Sequence, residues 1–242
     1  MRVRQAMILA AGLGTRMRPL TEATAKPLLE LGGRALLDHA LDRLAAAGVE
    51  LVVVNAHWQA DRVAAHLAAR TGGPRTILRR EAELLDTGGA VRAVLACFQD
   101  APLFVVNGDS FWLDGPKPTL ERLVGAWNPG VADGVLLLHR TFNVHGDIGP
   151  GDFALDSRGV LRRRESREIV PYVYAGVQLV GPRLFAEAPD GRFSMNAIWD
   201  VALERRRLRG IVHDGLCFAL NTPEDLADAE AILQSHVVGW SR

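Results

Sequence analysis

Two glycines and three basic residues follow the first apolar segment of this 242-residue sequence closely enough to bind phosphate together. Residues 6–11 are short, apolar and closed by Gly12, which predicts a buried strand, and Gly14 follows two residues later. Glycines let the backbone approach a ligand and turn its N–H groups toward an anion. The three basic residues are Arg16, Arg18 and Lys26. Because α/β sheets bind ligands at the carboxyl ends of their strands, the segment predicts a phosphate-binding loop.

The loop matches neither of two common phosphate-binding motifs. A dinucleotide fingerprint requires a third glycine three residues after Gly14, where this sequence has Met17. A Walker loop requires Gly-Lys-Ser or Gly-Lys-Thr, and the segment contains neither. The predicted phosphate site is therefore of another kind.

Asp109 is the candidate metal ligand. It follows residues 103–107, which predict another buried strand. A carboxylate beside phosphates suits Mg²⁺, which prefers oxygen ligands and keeps several waters. The alternative is a simple turn, because Asn-Gly-Asp is a good turn sequence. We favour Mg²⁺, since the apolar run places Asp109 at the same sheet edge as the glycine loop.

The hydrophobic pattern of the first half predicts strands that alternate with helices, which is typical of a parallel sheet covered on both faces. These predicted strands are residues 6–11, 51–55, 76–80 and 103–107, and the helices are residues 34–47, 59–70 and 86–98. After residue 130 the pattern changes. The later predicted strands are residues 135–140, 152–155, 160–164 and 172–180, and the later helices are residues 193–207 and 222–234.

The predicted fold class is therefore α/β, with a Rossmann-like, mixed and mainly parallel sheet flanked by helices. We expect one domain over residues 1–242. Residues 1–130 form its nucleotide-binding half, and residues 131–242 build the other wall of a cleft.

The composition excludes several classes of partner. Lys and Arg total 28 and Asp and Glu total 28, so no basic excess supports binding to nucleic acid or to an anionic membrane. The apolar runs are too short for a membrane span, which needs about 20 residues, or for a signal peptide. A count of two cysteines argues against a disulfide framework. We therefore expect a cytoplasmic protein with reduced thiols.

The composite pattern of the loop resembles that of nucleotidyltransferases that join a sugar 1-phosphate to a nucleoside triphosphate. It reads Leu9-Ala10-Ala11-Gly12-Leu13-Gly14-Thr15-Arg16-Met17-Arg18-Pro19-Leu20-Thr21, followed by Lys26-Pro27. The segment Leu85-Asp86-Thr87-Gly88-Gly89 is similar to the family's second nucleotide loop. Asn107-Gly108-Asp109 is similar to its metal-binding strand end. The short chain and Gly151-Asp152-Phe153 resemble the uridylyltransferases that act on N-acetylmuramic acid 1-phosphate in peptidoglycan recycling.

The resemblance implies nucleotidyl transfer with Mg²⁺. An oxygen of the sugar 1-phosphate attacks the α-phosphorus of the nucleotide, and pyrophosphate leaves. We assign two catalytic cations: Arg16 to the leaving phosphates and Lys26 to the reacting phosphates. The residues assigned to the nucleotide are Leu9, Ala10, Ala11, Gly12, Gly14, Thr15, Arg16, Asn55, Thr87 and Gly88. Gly88 has no side chain to block the base, and Asn55 is either a base contact or a cap of its strand.

The second half of the chain is expected to bind the sugar. The residues assigned to it are Asn107, Asp152, Glu165 and Gly176. Glu165 lies in the charged run 162–168, so a solvent-facing position is its alternative interpretation.

The sequence departs from the family at the metal site. Many members have a second carboxylate where this chain has Ala219, and a glycine where it has Asn221. Three interpretations follow: one Mg²⁺ held by Asp109 with phosphates and water, a contribution from Asn221 or Asp214, or weakened activity. We rank the first highest, because the loop cations and Asp109 are intact.

Several functions remain open at this point. Backbone contacts do not distinguish uracil from thymine or guanine, and uracil is chosen by resemblance alone. The expected partners are UTP and N-acetylmuramic acid 1-phosphate, with a monomer or small homo-oligomer as the acting form. The alternatives are guanylyl transfer to mannose or heptose 1-phosphate, thymidylyl transfer to glucose 1-phosphate, and a non-catalytic sugar-nucleotide sensor. The continuation Arg16-x-x-Pro19-Leu-Thr21 argues against cytidylyl and molybdenum-cofactor transferases.

Overall fold

Nine strands from both halves of the chain form one mixed sheet in the computed structural model, which describes residues 1–145 and 149–236. In this described part the strands are β1 (Gln5–Leu9), β2 (Glu30–Leu31), β3 (Arg34–Ala35), β4 (Leu51–Ala56), β5 (Arg75–Arg80), β6 (Leu103–Asn107), β7 (Phe111–Leu113), β8 (Gly134–Arg140), β9 (Val144–His145), β10 (Phe153–Leu155), β11 (Leu161–Arg163), β12 (Tyr172–Val180), β13 (Leu208–Val212) and β14 (Leu216–Phe218). The α-helices of the same residues are α1 (Leu36–Ala46), α2 (Ala60–Ala69), α3 (Asp86–Val94), α4 (Thr119–Ala126), α5 (Met195–Glu204) and α6 (Pro223–His236).

The central strands follow the predicted parallel arrangement. Strands β5, β4, β1 and β6 are neighbours and run parallel. Strand β12 pairs antiparallel with β6 and with β8, and β13 then pairs parallel with β8. The β10–β11 hairpin joins β12 near its start. The sheet is therefore mixed, and the carboxyl ends of its four parallel strands share one edge.

Helices cover both faces of this sheet because its strands are apolar on both sides. Along β1, Ile8 packs on the face covered by α1, α2 and α4, whereas its neighbour Met7 packs on the face covered by α3 and α5. A third apolar cluster lies beneath α6 and contains Met17 together with Phe111 of β7 and Phe218 of β14. No helix of residues 1–145 and 149–236 is long and apolar enough to cross a membrane.

Several element boundaries differ from the sequence predictions, and two of these differences have a clear physical cause. Strand β1 ends at Leu9 rather than residue 11, because the N–H of Ala10 donates to the side-chain oxygen of Asn55 instead of to a backbone carbonyl of the neighbouring strand. The helix predicted for residues 193–207 is shorter, and a strand that we did not predict, β13, follows it. Arg206 takes a left-handed conformation (φ 54°) and Arg207 pairs with Asp133, so the chain turns there to join β8.

Candidate active site

Three adjoining cavities form a cleft at the carboxyl ends of β1, β4 and β6. The first cavity, of about 470 Å³, lies between residues 9–17 and residues 81–87. The second, of about 290 Å³, lies between residues 152–153 and residues 194–199. The third, of about 510 Å³, lies between residues 107–110 and residues 217–221. Asn107 lines all three, so the cleft is continuous around the end of β6.

Contacts with Thr21 fix the conformation of the glycine loop beside the first cavity. Gly14 takes a left-handed conformation (φ 61°), and a Cβ there would lie 2.9 Å from the methyl carbon of Thr21. The Thr21 hydroxyl donates to the Gly14 carbonyl over 2.7 Å, and the Trp58 indole donates to the Thr21 carbonyl. The next turn, Thr15–Met17, buries Met17 and leaves Arg16 exposed where the first and third cavities meet.

The predicted phosphate cation and the predicted metal ligand form an ion pair. The Lys26 ammonium lies 2.6 Å from Asp109 Oδ2, and the two side chains are 11% and 37% exposed. Lys26 opens the short turn Lys26–Leu28, and Asp109 follows β6, so residues 83 positions apart meet in the cleft. The pair places opposite charges at the junction where phosphates and a divalent cation are expected.

Asn55 is both a strand cap and part of the cavity wall, so its two sequence interpretations are compatible. Its Oδ1 accepts the Ala10 N–H over 2.7 Å, and its Nδ2 donates to Glu81 Oε1 over 2.7 Å. The other oxygen of Glu81 accepts the Leu85 N–H over 3.1 Å. Sequence analysis missed Glu81, although its position directly after β5 at the same sheet edge was an available signal. These contacts fix the backbone of Ala10 and Ala11 beside the first cavity.

The second glycine loop packs against the segment before α5. The N–H groups of Gly88 and Gly89 both donate to the Phe193 carbonyl over 2.9 Å, and the Thr87 hydroxyl accepts the Met195 N–H. Thr87 lines the first and second cavities, whereas Gly88 lies beneath Phe193 and lines none of the three. Arg192 directly precedes Phe193 and therefore lies at the wall of the first cavity. The sequence did not identify it as a site residue.

Replacement of Gly88 by alanine should destabilise the fold rather than block a base. A Cβ at Gly88 would lie 2.4 Å from the Phe193 ring, so overpacking should lower the free energy of unfolding by about 1–3 kcal/mol. Gly125→Ala in α4 is the matched control, because its Cβ meets nothing within 4 Å and should stabilise that helix by up to about 1 kcal/mol. Urea unfolding measures both, and equal stability of Gly88→Ala and the wild type would contradict the packing role.

The residues assigned to the sugar divide into two groups. Asp152 lines the second cavity, where its Oδ2 accepts the Tyr174 N–H over 2.8 Å, and Gly176 lines the third. Glu165 lines none of the cavities; its side chain is 80% exposed and lies 3.6 Å from Arg162. Its position agrees with the solvent-facing interpretation of the charged run.

Asp109 and Asn221 both lie where the first and third cavities meet. The N–H of Asn221 donates to Asp225 over 2.9 Å, which fixes Asn221 just before α6. Ala219 lines the third cavity without a donor, and Asp214 pairs with Arg122 over 2.8 Å outside all three. Residues 1–145 and 149–236 contain no group of three or more His, Cys, Asp and Glu side chains able to hold a metal.

Two further polar groups in the cleft stay protonated. Burial raises the pKa of the Cys217 thiol to about 12, so the thiol is protonated at neutral pH. Burial also raises the pKa of the Tyr174 hydroxyl, which keeps it neutral in the wall of the second and third cavities.

Comparisons with known proteins agree with this geometry. The sequence model of the family described as Nucleotidyl transferase matches residues 5–131. The chain is 41% identical over 232 residues to an N-acetylmuramate alpha-1-phosphate uridylyltransferase of Caulobacter vibrioides, covering 94% of this chain and 96% of that protein. It is 36% identical over 109 residues to a mannose-1-phosphate guanylyltransferase catalytic subunit beta of Drosophila melanogaster, covering 43% and 30%. A UDP-glucose pyrophosphorylase bound to UDP-glucose superposes with a TM-score of 0.79 at 14% identity, covering 96% and 98%.

Proposed function

Because the chain belongs to the nucleotidyl transferase family, we propose that it converts UTP and N-acetylmuramate 1-phosphate to UDP-N-acetylmuramate and pyrophosphate. The family resemblance that we inferred from the loop is thereby confirmed, and the chain is a sugar-1-phosphate nucleotidyltransferase. The choice of UTP and N-acetylmuramate 1-phosphate is carried by one observation: 41% identity over nearly the full length of an enzyme named for both. N-acetylmuramate is a peptidoglycan sugar, so we assign the reaction to cell-wall recycling in the cytoplasm.

In the proposed reaction the protein aligns the two substrates and neutralises their charge, and no side chain acts as a nucleophile. A sugar phosphate oxygen forms a bond to the α-phosphorus of UTP, the bond from that phosphorus to the β-phosphate oxygen breaks, and pyrophosphate leaves with its electron pair. Attacker and triphosphate repel each other, so cations must lie between and around them. Lys26, which pairs with Asp109, is assigned to the reacting phosphates, and Arg16 to the leaving pyrophosphate.

The donors at the end of β6 fit Mg²⁺. This ion is usually held by one or two carboxylates together with substrate phosphates and water. Asp109 supplies the carboxylate, and Asn221 lies at the same junction. Bound Mg²⁺ would neutralise developing charge on the triphosphate. Ala219 therefore does not leave the site without ligands.

The nucleoside is assigned to the first cavity. The backbone of Ala10, Ala11 and Gly12 faces it, and Glu81 offers an acceptor for an N–H group of the base. Uracil, thymine and guanine present such an N–H, whereas cytosine and adenine present an acceptor at the corresponding ring position. The sugar is assigned to the second and third cavities, beside Asn107, Asp152 and Gly176.

Pyrophosphate release tests the proposal. The protein is incubated with Mg²⁺, each of the common nucleoside triphosphates, and a panel of sugar 1-phosphates that includes N-acetylmuramate, mannose and glucose 1-phosphates. We expect the highest kcat/KM for UTP with N-acetylmuramate 1-phosphate. A preference for GTP with mannose 1-phosphate would instead support guanylyl transfer. Nucleotide binding without turnover of any pair would support a sensor.

A further inference from the structure

Arg163 is a charged residue at an inward-facing position of β11. Side chains alternate along a strand, so Arg163 shares the face of buried Leu161, while Arg162 between them points outward to Glu168. An inward position in a short strand is normally apolar. Arg163 instead lines the second cavity, and among the described residues that line this cavity it is the single Lys or Arg.

The guanidinium of Arg163 is held in one orientation. Its Nε donates to Asp200 Oδ1 over 2.7 Å, and its Nη2 donates to Asn196 Oδ1 over 2.9 Å. Its Cζ atom also lies 5.0 Å from the ring centroid of Phe153 and 5.9 Å from that of Trp199. Within residues 1–145 and 149–236, Nη1 has no hydrogen-bond partner, and the side chain is 34% exposed. These contacts fix the orientation of the guanidinium fork, the pair of Nη groups, and leave Nη1 available to a ligand.

A second donor lies beside this fork. Asn196 turns its carbonyl oxygen to Arg163, which leaves its Nδ2 as a donor at the same wall of the cavity. Asn196 also belongs to the first turn of α5, whose helix dipole favours an anion there. Asp200 offsets part of the Arg163 charge, but its side chain is 53% exposed and does not line the cavity.

Two carboxylates also line the second cavity. The carboxylates of Asp86 and Asp152 line it, and each already accepts a backbone N–H, from Thr87 and Tyr174 respectively. These oxygens suit sugar hydroxyls. A sugar phosphate bound in this cavity would therefore place its hydroxyls at Asp86 and Asp152 and its anionic substituent at Arg163.

We propose that Arg163, with Asn196, binds the lactyl carboxylate of N-acetylmuramate 1-phosphate and makes the enzyme prefer sugar phosphates that carry this acidic substituent. The inference rests on the proposed function and extends it to a specificity-determining residue. A guanidinium forms paired hydrogen bonds to a carboxylate, which neutral sugar phosphates do not offer. N-acetylglucosamine 1-phosphate is the matched substrate, because it lacks only the lactyl group.

The test is the ratio of kcat/KM for N-acetylmuramate 1-phosphate to that for N-acetylglucosamine 1-phosphate, with UTP and Mg²⁺ saturating. Arg163→Gln should lower this ratio about 10- to 100-fold, the loss expected for a hydrogen bond to a charged group. Arg162→Gln is the matched control; it changes the next residue on the outward face and should keep the wild-type ratio. Asp200→Asn frees the guanidinium and should keep or raise the ratio.

The outcomes separate this inference from the proposed function. If the wild type does not use N-acetylmuramate 1-phosphate, the proposed function fails and this inference fails with it. If the wild type uses it and Arg163→Gln keeps the ratio, or loses both activities equally, the assignment of Arg163 is wrong while the proposed function stands. Arg163→Lys, which keeps the charge but not the fork, replaces the glutamine variant if that variant does not fold. It should lower the ratio about threefold or more.

Discussion

Replacing Asp109 with asparagine should lower the Mg²⁺-dependent rate of nucleotidyl transfer about a thousandfold, the equivalent of about 4 kcal/mol of transition-state stabilisation. Asp109 is the carboxylate at the junction of the first and third cavities, and Ala219 beside it adds no donor. Asparagine keeps the size of the side chain and an oxygen that accepts from Lys26, so the fold should persist. Initial rates over a Mg²⁺ titration, with circular dichroism of both proteins, measure the effect.

Asp214→Asn is the control for this prediction. Asp214 was the alternative acidic ligand, and it pairs with Arg122 outside the cavities. Its replacement should leave the Mg²⁺ titration of the wild type unchanged. Near-normal turnover of Asp109→Asn at saturating Mg²⁺ would remove Asp109 from the metal site. A thousandfold loss in Asp214→Asn would place the metal elsewhere.

Replacing Arg16 with alanine should lower kcat about 100- to 1,000-fold, while the KM for the sugar phosphate changes little. In the described part of the chain the Arg16 side chain has no ion-pair partner, so its full charge is available to a ligand where the first and third cavities meet. Charge moves to pyrophosphate only as the bond breaks, so a cation on the leaving group acts mainly in the transition state. Steady-state kinetics with each substrate varied in turn separates kcat from KM.

Arg18→Ala is the matched control, because Arg18 belongs to the same loop but lines none of the cavities. It should retain nearly the wild-type kcat. If Arg16→Ala raises only the KM for the sugar phosphate, Arg16 binds the attacking substrate and the roles of the two cations are exchanged. Equal losses in Arg16→Ala and Arg18→Ala would indicate a general effect of loop charge.

The sequence by itself predicted that the glycine loop, Arg16, Lys26 and Asp109 form one site, whereas Arg18 of the same loop lines none of the cavities. These residues follow apolar strands, and the carboxyl ends of parallel strands lie at one edge of a sheet, so local pattern was enough to bring Lys26 and Asp109 together. The same reasoning predicted the flanked, mainly parallel sheet. It also predicted most strands within a residue or two, because buried strands have a clear apolar pattern.

The tertiary structure alone decided which residues of the charged and glycine-rich segments face the cleft. Arg163 and Glu165 are two positions apart in one charged run. The alternation of side chains along β11 directs Arg163 to the second cavity, whereas the segment after β11 leaves Glu165 in solvent. Gly88 belongs to a motif that resembles a nucleotide-binding loop, but Phe193, which is distant in the sequence, covers it. Glu81 enters the site through Asn55, 26 positions away. Such pairings depend on the register and packing of distant elements, which the local sequence pattern does not contain.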